Sequence, residues 1–307
     1  LIKNYYLILP FGLLAIFAFF TIPTALSFDL AIYFSMRWLM AFGLFLTLIV
    51  SDVPKKKMII IFLVGLFFQV LVGIGQVVNQ GPLNLPGELA LDPNQYRAAV
   101  ISIKGILWLR AYGMTFHPNV LGGFLTIGLI LSIPYLENYK MRILWWFLTI
   151  GLFLSFSRSA WLAAAITIIP IFLLFFWQFP QMRRSLIITI IPTVLILLVG
   201  GILFVNLLIV RIQPFQNYSE FTSIIGRGQL LSIAFDLIRE NPFTGIGAGN
   251  FPIAMLRYET LDPPHYVHNV PILIASEIGI FGGLIWLWLW LGPTINFQKK
   301  LNLKNLS

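Results

Sequence analysis

The segment KKKMIIIFLVGLFFQVLVGIGQVV, residues 55–78, decides the fold class of this protein. No charged side chain follows its three lysines, and a helix needs about 20 mostly apolar residues to cross the hydrocarbon core of a bilayer. Other apolar stretches of the chain share this character, which predicts an all-α, polytopic integral membrane protein. The eight predicted transmembrane helices lie near residues 5–22, 30–50, 58–78, 119–136, 142–156, 160–177, 185–205 and 270–291.

The loops between these stretches alternate in charge, and the alternation predicts the orientation of the chain. Loops rich in lysine and arginine face the cytoplasm by the positive-inside rule. These cytoplasmic residues are Lys3, Lys55, Lys56, Lys57, Lys140, Arg142, Arg183, Arg184, Lys299, Lys300 and Lys304. The other loops are then expected to face outward, and they hold Arg110, His117, Arg158, Arg227 and His268. Topology does not require these outward basic residues, so they are the first candidates for function.

The composition excludes several classes of protein and site. A chain that is 59% hydrophobic and 10% charged is not a water-soluble domain. It has no cysteine, which excludes disulfides, thiolate metal sites and a cysteine nucleophile. The outward loops show no tight acidic cluster for magnesium, so we expect neither a metal nor a cofactor. Most of the net charge of +9 belongs to cytoplasmic loops, so the expected partner is the lipid bilayer rather than nucleic acid.

We treat residues 1–307 as one membrane domain with two long outer loops, 79–118 and 206–268. The second loop contains an amphipathic helix near 226–240, which is expected to lie at the membrane interface. Its apolar positions are Leu230, Leu231, Ala234, Leu237 and Ile238. The stretch GIGAGNF, residues 245–251, lacks the full dinucleotide-binding spacing and a preceding strand, so its glycines are expected to permit a tight turn beside the membrane.

His268 directly precedes the last predicted span, with Asn269 placed to cap that helix and Pro271 in its first turn. The positive end of the helix dipole disfavours an imidazolium, so the ring is expected to stay neutral and able to accept a proton. That is the state a general base needs. The alternative is an interfacial histidine that hydrogen-bonds a loop carbonyl.

Arg158 and Arg227 are candidates for binding an anion, and two guanidinium groups can hold a diphosphate with bidentate geometry and without a metal. Arg227 is expected at the start of the amphipathic helix, where a cation meets the unfavourable end of the dipole and an anion nearby would compensate. The alternative for Arg158 is that it extends to the phosphates of ordinary lipid headgroups.

Two ionisable residues fall inside predicted spans, Arg37 in the second and Glu277 in the last. A charge near the middle of a membrane costs at least about 2.5 kcal/mol on insertion scales. We therefore predict that they form an intramembrane ion pair.

Four outward-facing parts of the sequence together resemble one family. They are RAYGMTFHPNVLGG from Arg110, SFSRSAWLA from Ser155, IIGRGQ from Ile224 with IRENPFTGIGAGNF from Ile238, and HNVPILIASEIGIFGG from His268. Each is weakly specific alone, but in this order they resemble the O-antigen ligase and O-antigen polymerase superfamily of bacterial envelope proteins, over roughly residues 105–290.

This resemblance implies a polytopic enzyme of the bacterial inner membrane that works at the periplasmic face in lipopolysaccharide or polysaccharide biosynthesis. It would move a glycan from an undecaprenyl-diphosphate donor to an acceptor hydroxyl on lipid A core or another glycan. His268 matches the catalytic histidine of the family, and Arg158 and Arg227 match arginines thought to hold the donor diphosphate. Arg110 is expected to add to the positive field. The hypothesis is thus a metal-independent, inverting glycosyltransferase.

The resemblance leaves two other functions open. The same superfamily includes proteins labelled as bicarbonate transporters, so an anion transporter is the alternative, and a non-catalytic scaffold for envelope enzymes is a third. Members of the family usually have more spans than this chain, which implies that helices are missing at one or both ends. The residues do not distinguish a ligase from a polymerase.

Overall fold

A computed structural model describes residues 5–92, 98–103, 105–212, 218–258 and 266–304. The helices are α1 (Tyr5–Phe20), α2 (Phe28–Val50), α3 (Lys55–Asn79), α4 (Pro118–Ser132), α5 (Tyr139–Leu154), α6 (Arg158–Gln178), α7 (Arg183–Leu203), α8 (Val205–Ile212), α9 (Tyr218–Glu240), α10 (Phe251–Met255) and α11 (Val270–Lys304). Two strands, β1 (Val100–Ile103) and β2 (Ile106–Leu109), form an antiparallel hairpin.

Seven helices in the described part of the chain are long and apolar enough to cross a membrane. The protein is 76% helical, so the predicted all-α polytopic fold is confirmed. The stretch predicted near 142–156 forms α5, whose 16 residues are short for a span of about 20. The stretch predicted near 160–177 is longer than expected, because α6 extends over 21 residues.

The chain divides into two compact units, the first from Leu1–Asp52 and Thr222–Ser307 and the second from Val53–Phe221. In the second unit α5 packs against α3, α4 and α7. Gly151 allows this close approach, because a Cβ there would lie 2.4 Å from a Val70 methyl group. Small residues at helix contacts are how apolar helices pack tightly in a membrane.

The two ends of the second unit carry different loops. Lys56 lies 5.8 Å from the ring centroid of Tyr135, which brings the start of α3 to the end of α4. The Trp146 indole donates to the carbonyl of Thr189, so α5 and α7 begin at this same end. The lysine-rich and arginine-rich loops of the unit therefore share one end, as the alternation of charge in the sequence predicts.

A buried glutamine organises the first outer loop at the opposite end. Gln76 is 0% exposed; its amide nitrogen donates to the Glu88 carboxylate at 2.8 Å and to the Gly113 carbonyl at 2.8 Å. Its oxygen accepts from the backbone nitrogens of Tyr112 and Gly113. Although burial acts to raise the pKa of Glu88, hydrogen bonds from Gln76 and from the backbone at Leu83 hold it below the ordinary value.

In the first unit, α1 packs against both α2 and α11. The helix predicted near 226–240 belongs to the longer α9, and it ends at Glu240, just before Asn241 and Pro242. Its apolar face packs against protein: Leu230, Ala234 and Leu237 join a buried cluster with α10. The helix is therefore amphipathic, and its apolar face is buried in the core of the first unit.

Candidate functional site

Arg110 fastens the first outer loop to the turn between α5 and α6. It is 5% exposed, its Nε donates to the Ser155 carbonyl at 2.8 Å, and its Nη2 donates to Asn119 Oδ1 at 2.7 Å. The backbone nitrogen of Ala111 donates to the carbonyl of Leu154 beside it. A buried guanidinium needs such partners, because leaving it without them would be costly. Arg110 therefore fixes the turn from which α6 begins.

A second buried arginine, Arg211, holds the same turn. It is 7% exposed, and its Nε and Nη2 both donate to the Phe156 carbonyl, at 3.1 and 2.7 Å. Phe156 has a φ of 45°, a left-handed conformation that is strained for a bulky residue. Ser157 then caps α6 by accepting from the Ala160 nitrogen.

Arg158 is the first residue of α6 and is half-buried. Its Nη1 donates to the Arg211 carbonyl at 3.1 Å. Arg110, Arg158 and Arg211 thus gather around one turn and concentrate three positive charges there. Arg211 is not among the site residues predicted from the sequence; its one signal there is a cation at the end of the apolar run of α8.

His117 caps α4, as its position before Pro118 and Asn119 suggests. Its Nδ1 accepts a hydrogen bond from the Asn119 backbone nitrogen at 3.0 Å. A nitrogen that accepts carries no proton, so the ring is the neutral tautomer with its proton on Nε2. Capping α4 is enough to explain why a histidine stands at this position.

Arg227 lies inside α9 rather than at its start. The helix begins at Tyr218, so Arg227 is beyond the first turns, where the helix dipole no longer acts strongly. The unfavourable dipole placement predicted from sequence is therefore wrong. Arg227 is exposed, and it precedes the buried Leu230 and Ala234 by three and seven residues, so it continues their face of the helix.

His268 is exposed and stands two residues before α11. The side chain of Asn269 accepts from the Ile272 nitrogen at 3.3 Å, so the predicted cap of this helix is confirmed. Tyr266 precedes the histidine by two residues. Burial raises the pKa of its hydroxyl, the negative charge of Glu277 adds to this, and the positive charge of Arg37 opposes it. The tyrosine therefore presents a neutral hydroxyl that can donate.

The last predicted span is not one continuous helix. Gly279 has φ 83° and ψ 169°, a conformation that only glycine adopts readily, and it breaks α11. Carbonyls freed at the break accept hydrogen bonds from the glycine loop: Ile246 donates to Ser276 at 3.0 Å, and Gly247 donates to Glu277 at 3.0 Å. Non-helical backbone at membrane depth is tolerated where other protein groups satisfy it.

The glycines of residues 245–249 therefore have a different role from the predicted surface turn. They let the loop lie against the broken helix, since a Cβ at Gly245 would be 2.4 Å from the Glu277 backbone. At Gly249 it would be 2.0 Å from the Phe34 ring. The loop also meets the start of α2, where Asn250 Oδ1 accepts from the Ser27 nitrogen at 2.7 Å.

Glu277 and Arg37 contact different groups and do not contact each other, although the sequence predicted an ion pair between them. The Glu277 side chain is 8% exposed and accepts from the nitrogens of Gly249 at 2.9 Å and Phe251 at 3.1 Å. The Arg37 guanidinium instead lies 5.3 Å from the ring centroid of Phe34. Glu277 thus holds the loop between α9 and α10 against α11 through these two hydrogen bonds.

The structure brings some of the predicted site residues together. Arg110 and Arg158 meet at one turn of the second unit, while Arg227, in α9, and His268, just before α11, belong to the first. Convergence of the histidine with both arginines in one cavity stays a prediction. A cleft of about 620 Å³ in the first outer loop, between Gln80 and Leu107, is lined by none of these residues.

Comparison with known proteins supports one family. Residues 143–287 match the family model described as O-antigen ligase. No curated protein is a significant match to the chain. The matched segment contains Arg158, Arg227 and His268, the broken part of α11 and the glycine loop. This match and the multiple membrane-spanning helices support the O-antigen ligase and polymerase superfamily of multi-pass membrane proteins.

Proposed function

We propose that this enzyme of the ligase or polymerase type transfers a glycan from an undecaprenyl-diphosphate donor to an acceptor hydroxyl at the periplasmic face of the bacterial inner membrane. The observation that carries the proposal is that Arg158, Arg227 and His268 all lie within the segment matched by the O-antigen ligase family. The sorting of basic loops to one end of the second unit supports the orientation.

The reaction assigned to these residues is an in-line displacement at the anomeric carbon. The acceptor oxygen forms a bond to that carbon, the bond to the diphosphate oxygen breaks with its electrons, and His268 takes the acceptor proton. Attack opposite to the leaving group inverts the anomeric configuration. The base begins neutral, so its charge rises only as the proton transfers.

Arg158 and Arg227 neutralise the diphosphate as it leaves and its charge grows. Guanidinium groups supply this charge without a bound cation, which is the basis for proposing metal independence. Arg110 has a supporting role, since it holds the Ser155 carbonyl at the turn that carries Arg158. Arg211 contributes in the same way from the other side of that turn.

Replacing His268 by Ala tests the assignment. In proteoliposomes loaded with lipid-linked donor and acceptor, we expect transfer to fall by about 10²–10⁴-fold, the usual contribution of a general base, while donor binding is retained. His117→Asn is the matched control, because asparagine also caps a helix well and should preserve activity. Activity should persist in EDTA. Full transfer by His268→Ala would refute the catalytic assignment.

An anion transporter is the second candidate, because a broken membrane helix such as α11 is a recurring feature of transporter binding sites. It predicts flux of bicarbonate into liposomes without any polyprenyl lipid. His268→Ala would leave that flux almost unchanged. Flux in the absence of glycan transfer would favour this function over the enzyme.

A further inference from the structure

Arg37 is a charged residue at membrane depth on an exposed face of its helix. It lies nine residues into α2, about 13 Å from the helix start at about 1.5 Å per residue. Its neighbours Phe34 and Trp38 pack against the core of the first unit, whereas Arg37 and Tyr33 are exposed. The arginine therefore stands at the edge of the packed face, where lipid can reach it.

The contacts of Arg37 within the described residues are aromatic. Its guanidinium lies 5.3 Å from the ring centroid of Phe34 and 5.6 Å from that of Tyr33. Those residues precede it by three and four positions, so the side chain points back towards the start of α2, as helical side chains do. Stacking on rings satisfies none of its five N–H donors, and an exposed guanidinium in this position is suited to an anion.

Tyr266 links this arginine to the segment that bears His268. The positive charge of Arg37 and the negative charge of Glu277 both act on its hydroxyl. The carboxylate of Glu277 is already occupied by two backbone donors of the glycine loop. Arg37 and the Tyr266 hydroxyl thus remain as donors beside a membrane-facing edge, two residues from the proposed base.

We infer that Arg37 and Tyr266 form an entry site for the diphosphate group of a membrane-embedded polyprenyl lipid. The site holds the donor at the lipid-facing edge of the first unit before its sugar reaches His268. A lipid-borne diphosphate fits because the Arg37 guanidinium points back towards the start of α2, the end expected at the outer interface, where such a lipid carries its charge while its chain stays in the bilayer. The inference rests on the proposed function, whose donor is such a lipid.

The test uses the full chain in nanodiscs with three probes: undecaprenyl diphosphate, phosphatidylglycerol and inorganic diphosphate. Arg37→Gln should weaken binding of the polyprenyl diphosphate at least about tenfold, or about 1.4 kcal/mol, with a smaller loss in Arg37→Lys. Binding of the other two probes should not change. Arg239→Gln is the matched control, because Arg239 is 80% exposed and its pair with Asp236 is a surface ion pair.

Kinetics separate an entry site from a structural role. Arg37→Gln should raise the KM for the donor about tenfold with kcat changed by less than about twofold, because Arg37 does not contact the reacting atoms. Binding within about twofold of the wild-type protein would overturn the inference. So would an equal loss for phosphatidylglycerol, which would mean an ordinary headgroup contact, or for inorganic diphosphate, which would mean a water-filled anion site. Absence of glycan transfer by the wild-type protein in the same nanodiscs would instead overturn the proposed function.

Discussion

Replacing Gly279 by Ala tests whether the break in α11 is required. The residue adopts φ 83° and ψ 169°, and a Cβ there would lie 2.2 Å from the Phe243 carbonyl oxygen. The obstacle is backbone, which cannot rotate away as a flexible side chain could. The substituted protein must either accept the strain or straighten the helix.

Either outcome is costly. A side chain in this conformation costs about 1–3 kcal/mol. Straightening would return the carbonyls of Ser276 and Glu277 to helical partners and release the nitrogens of Ile246 and Gly247, and each buried donor left unsatisfied costs about 1–3 kcal/mol. Accepting the strain thus costs about 1–3 kcal/mol and straightening about 2–6 kcal/mol, so we expect a destabilisation of at least about 1 kcal/mol out of a total stability of about 5–15 kcal/mol.

Thermal and denaturant unfolding of the purified protein measure this change. Gly43→Ala in α2 is the matched control, because a Cβ there has no atom within 4 Å. Alanine is favoured over glycine in a helix by about 1 kcal/mol, so this control should be neutral or stabilised. Equal unfolding midpoints for Gly279→Ala and Gly43→Ala would refute the view that the loop needs the broken helix.

Further predictions concern the two units separately. Arg211→Gln should weaken donor binding by way of Arg158, with partial recovery in Arg211→Lys; equal donor KM values in wild type and Arg211→Gln would contradict this. Glu277→Gln should expose the glycine loop, since an amide cannot accept from both backbone nitrogens as well as a carboxylate does, and hydrogen exchange at residues 245–251 would detect it. The pKa of Glu88 is lowered on folding, so its stabilisation is present above the unfolded pKa and is lost as the pH falls through the folded pKa. Limited proteolysis of residues 81–92 should therefore be faster at acid than at neutral pH in the wild type, and independent of pH over this range in Glu88→Gln.

The predictions from sequence succeeded where one local property decides the structure. Apolar runs of sufficient length form helices because a bilayer leaves the backbone few other ways to satisfy its hydrogen bonds. The caps at His117 and Asn269 were also predictable, since a cap depends on neighbours one to three positions away. The start of α9 was placed too late because its apolar pattern weakens towards Tyr218.

The roles of the charged residues depend on contacts between distant parts of the chain. Arg110 and Arg211 are separated in sequence from the turn they hold, by 45 residues to Ser155 and 55 to Phe156, and no local pattern reveals such a bond. Glu277 was expected to need a cation, but backbone donors of the glycine loop satisfy it instead. Those donors become available only because Gly279 interrupts the helix.

By itself, then, the sequence determined a polytopic helical protein, its charge-sorted loops and the residues that mark its family. Hydrophobicity and charge act on each segment separately, so these properties can be read one segment at a time. Tertiary structure alone decided that three arginines share one turn, that the last span is broken, and that Arg37 is exposed beside two aromatic rings. Such features arise where a buried polar group must find its partner in another segment, and only the folded chain brings that partner within reach.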